Sequence, residues 1–311
     1  GQAGIPDLDS SAAVYSLSGF GSLLNGTNHP PIDAEAFAEI RSVIEGAKAL
    51  TRPQKRTIED PSVQKHASAL AALEAEIANF DQKQRRAALV SIPGPQRIRG
   101  LAGSGKTVIL AMKAAHLHLT RPNEHILVTF FTRSLRASIR NMITRFYRHY
   151  RDEDPDWNYI HVRHGWGGAS SSGVYADACR REGRTPINFS SAQQQSKFKD
   201  PFDFVCRNLV QLGVRPYYDH ILIDEGQDFP GGFYELCFHL AKGDRDQKNL
   251  VWAYDELQNI LNVAIRSPEQ LFGIDDDGKA RISLERAAAN LPAGAENDTV
   301  LSKCYRNQRD V

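Results

Sequence analysis

Cysteine is scarce, with four in 311 residues: Cys179, Cys206, Cys237 and Cys304. They are far apart and form no C-x-x-C pair, which excludes the usual zinc signatures and a disulfide scaffold. Cys237 lies in an apolar helical stretch and reads as a small buried hydrophobe. Charge of one sign is also lacking. Lys and Arg number 38 against 37 Asp and Glu, a formal charge of +1, so any nucleic-acid site must be a local patch rather than a basic coat. No apolar run approaches the roughly 18 residues of a membrane span. The first residues carry no basic segment followed by an apolar run, and Ile5 occupies the slot where a myristoylation motif wants Ser or Thr. No internal repeat is visible. Glu59, Asp60 and Lys65 do not form an acidic nuclease site and read as a solvated approach to a helix. His116 and His118 do not share a helix face and read as ordinary helix residues. The expectation is a cytoplasmic protein of about two domains.

What is present is organised in four stretches. Residues 1–79 form an accessory segment or linker: a Gly/Ser/Asn-rich arm to about residue 30, a helix at 33–49, a basic turn at 52–56 and a second helix at 62–79. From residue 80 the chain alternates strands and helices, which implies a parallel sheet with crossover helices. Strands are predicted at 97–99, 125–130, 220–223 and 249–253, with helices after the first two and at 232–241. Residues 80–140 and 215–295 are assigned to this α/β domain. The polar, Gly/Ser-rich stretch 141–214 is assigned to a mostly helical insertion.

Gly100-Leu101-Ala102-Gly103-Ser104-Gly105-Lys106-Thr107 satisfies G-x-x-x-x-G-K-[ST] in full, between a predicted strand and an apolar helix. Such a loop turns backbone N–H groups onto phosphates and adds the positive end of a helix dipole. Lys106 is placed for the β- and γ-phosphates and Thr107 for Mg²⁺. The strand His220–Ile223 runs into Asp224-Glu225, which supply a carboxylate for Mg²⁺ and a base for the attacking water. Together the two motifs predict a Mg²⁺-dependent NTP hydrolase.

Asp224-Glu225-Gly226-Gln227-Asp228 resembles the D-E-x-Q-D signature of superfamily 1 helicases of the UvrD/Rep type. Further motifs follow that family's order. Residues 80–85 (FDQKQR) resemble its Q motif, 129–133 (TFFTR) its single-strand contact, 162–165 (VRHG) its T-x-H element, 254–258 (YDELQ) its G-D-x-x-Q, and 301–307 (LSKCYRN) the opening of its second RecA-like domain. Tyr254, Cys304 and Asn307 depart from the family's usual residues. The resemblance implies a RecA-like fold, ATP as cofactor and movement on single-stranded DNA, with RNA not excluded. It implies that Gln84 reads the adenine edge, Tyr305 stacks on the adenine, Gln258 senses the γ-phosphate and Arg306 reaches it. The wording around the phosphate loop and CYRN is similar to helicases joined to nuclease-related domains, so a nuclease partner is a further expectation. Residues 296–311 are assigned to the start of a second RecA-like domain. Its remainder would come from the same polypeptide or a partner, and without it weak ATPase and no unwinding are expected.

Residues 133–151 carry six arginines and no acid. On a helix, Arg133, Arg136, Arg140, Arg148 and Arg151 share one side, opposite Leu135, Ile139, Met142, Ile143, Phe146 and Tyr150. A charged stripe is more often a solvated face, but its place directly after the single-strand motif favours phosphate contacts. Phe130, Phe131 and Trp166 are candidates to stack on unpaired bases, with one of the two phenylalanines expected in the core. His164, in the T-x-H-like element, joins the expected DNA contacts. The rival expectation is an NTPase switch that controls a partner protein or nuclease in a defence or regulatory assembly and never translocates.

Overall fold

A computed structural model describes residues 87–301, apart from 198, 256–265, 276 and 292–294. The two N-terminal helices expected at 33–49 and 62–79, and Gln84, Gln258, Tyr305 and Arg306, lie outside the described residues.

Among the described residues, six strands form one sheet in the order β3-β2-β4-β5-β1-β6. They are β1 (Gln96–Gly100), β2 (Ile126–Phe130), β3 (Ile160–His164), β4 (His220–Ile223), β5 (Asn249–Asp255) and β6 (Asp298–Leu301). Every pairing is parallel. A parallel sheet needs both faces covered, so its central strands read as continuous apolar runs. All residues of β2 and β4 are buried. Successive side chains then alternate between two cores. Val128, Phe130, Leu222, Val251 and Ala253 face one, and Leu127, Ile221, Ile223, Leu250 and Trp252 the other.

The first core is closed by α1 (Lys106–Thr120) and α2 (Leu135–Tyr150). The second is closed by α3 (Val174–Arg181), α4 (Phe189–Gln195), α5 (Pro201–Gln211) and α6 (Gly231–Leu240). Two short helices follow, α7 (Pro268–Phe272) and α8 (Leu284–Ala288). Among the described residues no helix is long and apolar enough to cross a membrane.

Two expected boundaries shift. Residue 140 falls inside α2, and β3, within the stretch expected as an insertion, pairs with β2 along its length. As an edge strand it is buried on one face only, so IHVRH alternates and reads as polar chain. Likewise Asp298–Leu301, expected to open a second domain, pairs with β1 as the other edge of this sheet.

Candidate functional site

In a parallel sheet the loops after the strands gather at the carboxyl ends, where such folds bind ligands. β1, β4 and β5 deliver Gly100, Asp224-Glu225 and Asp255 to that end. Gly100 must lack a side chain, because a Cβ would come within 2.6 Å of Ser104 Oγ and 2.9 Å of Leu301 Cβ. Leu101 and Ala102 are exposed, and Ser104 is buried beneath them. Gly103 (φ 79°) and Gly105 (φ 83°) take the left-handed conformation that glycine accepts without steric cost. Helix α1 therefore starts on Gly105 with no side-chain cap and no acid in its first turn. α5, by contrast, starts on Asp200, whose carboxylate accepts from the backbone N–H groups of Phe202 and Asp203. The end of α1 turns the positive end of its helix dipole toward this loop, where an anion is favoured.

Lys106 folds back over this loop, donating to the carbonyls of Gly100 and Leu101 at 2.9 Å each. Its Nζ lies 3.9 Å from Asp255 Oδ2. The Thr107 hydroxyl donates to Asp224 Oδ2 at 2.7 Å. Asp224 is buried, and burial pushes its carboxyl above the usual range against the pull of Thr107, the Glu225 backbone and Lys106. Glu225 is raised as well, by burial first and then by Asp224, Asp228 and Asp255, with Lys106 opposing. Three further carboxylates around one half-buried glutamate thus favour its protonated form, which is the electrostatics of a proton acceptor rather than of an ion pair.

Thr107 and Asp224 are hard oxygen donors of the kind Mg²⁺ takes, one or two from protein and the rest from phosphates and water. Among the described residues no group of three or more His, Cys, Asp or Glu could hold a metal. A divalent ion at this end would therefore share Thr107 and Asp224 with ligand oxygens.

Gln227, Asp228 and Asp255 fall within sequence motifs that assign them no role. Gln227 joins two strands' ends, donating from Nε2 to Glu225 Oε2 at 3.3 Å and accepting the Asp255 N–H at 3.2 Å. Asp228 contributes charge beside Glu225. Only their convergence in space reveals this.

The expected DNA contacts separate. Phe130 is fully buried in the core, so it is not a stacking platform; both faces of β2 are covered, and the ring has no path to solvent. Phe131, one residue past the strand, is 43 % exposed and meets Phe229 edge-on at 5.6 Å. Arg133, just ahead of α2, and Arg136, in its first turn, are exposed. Arg140 lies 3.8 Å over the Trp157 ring. Arg148 pairs with Asp154 at 2.7 Å and Arg151 with Glu153 at 3.2 Å. His164 is half-buried and accepts the Trp166 N–H at 3.2 Å. Burial and nearby Arg133 lower its pKa, against a hydrogen bond to the Phe131 backbone. Trp166 itself stacks on Phe202 at 5.1 Å. Cys179, Cys206 and Cys237 are buried free thiols.

No family model matches the chain, and no curated protein is significantly similar to it.

Proposed function

We propose that this chain is a Mg²⁺-dependent ATPase core of the superfamily 1 type that moves on single-stranded DNA when paired with a second RecA-like domain. The observation that carries the reading is the Thr107–Asp224 hydrogen bond, 2.7 Å long between residues 117 apart in sequence. It joins the phosphate-loop motif to the acidic motif, which the sequence links by residue type alone.

In this reading the N–H groups of the loop and of α1 cradle the β- and γ-phosphates. Lys106 exchanges its loop carbonyls for phosphate oxygens. Thr107 and Asp224 hold Mg²⁺, which neutralises charge on the phosphates. Glu225 orients the attacking water and accepts its proton. Phe131, Arg133 and Arg136 form the surface offered to single-stranded DNA, the ring for a base and the guanidinium groups for phosphates. The resemblance adds Gln84 and Tyr305 at the adenine, Gln258 and Arg306 at the γ-phosphate.

The test is steady-state ATP hydrolysis with and without single-stranded DNA, on this chain and on one carrying a second RecA-like domain. Lys106→Ala should lower kcat by at least about 10²-fold, the scale of removing one preorganised charge stabiliser. Stimulation by DNA in the two-domain protein supports the translocase. Hydrolysis that DNA leaves unchanged in both would favour the partner-controlled switch, and stimulation by RNA alone would reassign the nucleic acid. Near-normal turnover by Lys106→Ala would remove the site assignment.

A further inference from the structure

Glu225 sits at φ 51° and ψ 46°, in the left-handed region. A residue with a Cβ persists there only where its surroundings over-determine it, and such strain gathers at functional sites. Here the surroundings are specific. Glu225 opens a single 3₁₀ turn, Gly226–Asp228, closed by the hydrogen bond from Phe229 N–H to the Gly226 carbonyl. From α6, the buried Tyr234 hydroxyl donates to the Gly226 carbonyl at 2.8 Å. From outside every motif noted in the sequence, Arg266 Nη2 donates to the Phe229 carbonyl at 2.7 Å, with a longer contact to the Gln227 carbonyl at 3.4 Å. Its guanidinium lies 5.9 Å from the centre of the Tyr234 ring.

We infer that Arg266 is a positioning residue for ATP hydrolysis: it ties down the far end of the turn that starts at Glu225, while Tyr234 ties down the near end. The inference rests on Glu225 acting as the base. Without Arg266 two carbonyls are left without this donor, and the turn can unwind toward the right-handed conformation an unstrained glutamate prefers. Glu225 would then leave the phosphate end, while the loop, Lys106, Thr107 and Asp224 keep their own hydrogen bonds. Binding and hydrolysis should therefore come apart. Phe229 also backs Phe131, so the same tether fixes the floor of the exposed ring.

The experiment compares the intact chain with Arg266→Met, Arg266→Lys, Tyr234→Phe and Glu225→Gln. The readouts are steady-state hydrolysis, equilibrium binding of a fluorescent ATP analogue with Mg²⁺, and melting temperature. Arg266→Met should lower kcat about 10- to 100-fold, the penalty for misplacing a reacting group by about an ångström. Analogue affinity and KM should stay within about twofold, on the same positioning argument. Arg266→Lys, which can still donate to one carbonyl, should recover part of the rate. Tyr234→Phe should change kcat in the same direction and carries the test if Arg266→Met does not fold. Unchanged kcat in Arg266→Met beside a dead Glu225→Gln overturns the inference alone. Loss of kcat, analogue binding and melting temperature together, unmended by Lys, overturns it in favour of a purely structural role. An active Glu225→Gln, or an inactive parent chain, overturns the reading of the base on which it rests.

Discussion

Adjacent residues can have opposite fates, and Phe130 and Phe131 show how sharply. Phe130 closes a strand with both faces covered; Phe131 is the first residue beyond it and reaches solvent. Phe130→Ala should cost about 3–5 kcal/mol of stability, read as a lower urea midpoint, because it empties a packed core site. Phe131→Ala should leave that midpoint in place and weaken binding of a single-stranded oligonucleotide by about 1–3 kcal/mol. Equal effects of the two substitutions would mean that neither ring meets a base. In the sequence the pair is ambiguous, since two aromatics in a row fit a strand end in either frame. Lys106 and Thr107 are legible because the phosphate-loop pattern fixes their spacing locally. Gln227, Asp255 and Arg266 are not, because their importance lies in hydrogen bonds between segments distant along the chain.

Among elements, the legible ones are those whose pattern is pure. β4 and its two acids, and α1 after its loop, follow from apolar runs with clean ends. β3 and β6 are edge strands with one face toward solvent, so they merge into polar surroundings. α2 is legible as an amphipathic helix, but the availability of its basic face is not. Asp154 and Glu153, beyond its end, engage Arg148 and Arg151, and Trp157 covers Arg140. Exposed ion pairs add little stability. They do place acids beside two of the five stripe arginines, which concentrates positive charge at Arg133 and Arg136. Replacing Arg133 and Arg136 with Ala should weaken oligonucleotide binding and reduce the slope of log affinity against log salt by about 0.7 for each phosphate no longer neutralised. The same change at Arg148 and Arg151 should leave the slope unaltered. A uniform effect along the helix would count against a localised DNA interface.

For the molecule as a whole, two histidines at the amino ends of β2 and β3 tie stability to acid. His125 Nδ1 and His161 Nε2 lie 3.1 Å apart there. His161 is pushed down from 6.5 to about 4, by burial first and then by Arg163, His125 and Arg181, with Asp177 opposing. Burial also lowers His116, His118, His125, His220 and His239. For His220 it outweighs a Glu124 carboxylate 2.7 Å away. The sign follows from proton counts. Between about pH 6.5 and 4 the unfolded chain binds protons at His161 that the folded chain refuses, so stability falls as pH drops through that window and is full above it. Melting temperature should be level between about pH 6.5 and 8 and decline below that range, and His161→Phe should flatten the decline. A profile unchanged by the substitution would locate the acid response elsewhere.

The strand order has a consequence for how this protein is made. β1 leads into the phosphate-loop motif and is the first of the six described strands, yet its two neighbours are the last two, β5 and β6. Arg97 on β1 and its partner Asp298 on β6 stand 201 residues apart. At about 5–20 residues per second, a ribosome needs roughly 10–40 s to synthesise that interval. Until β5 is made, β1 has neither edge paired, and its backbone is a template open to other chains. The backbone amides of 96–100 should therefore stay open to hydrogen exchange in nascent chains stalled before β5 and become protected in chains that extend beyond it.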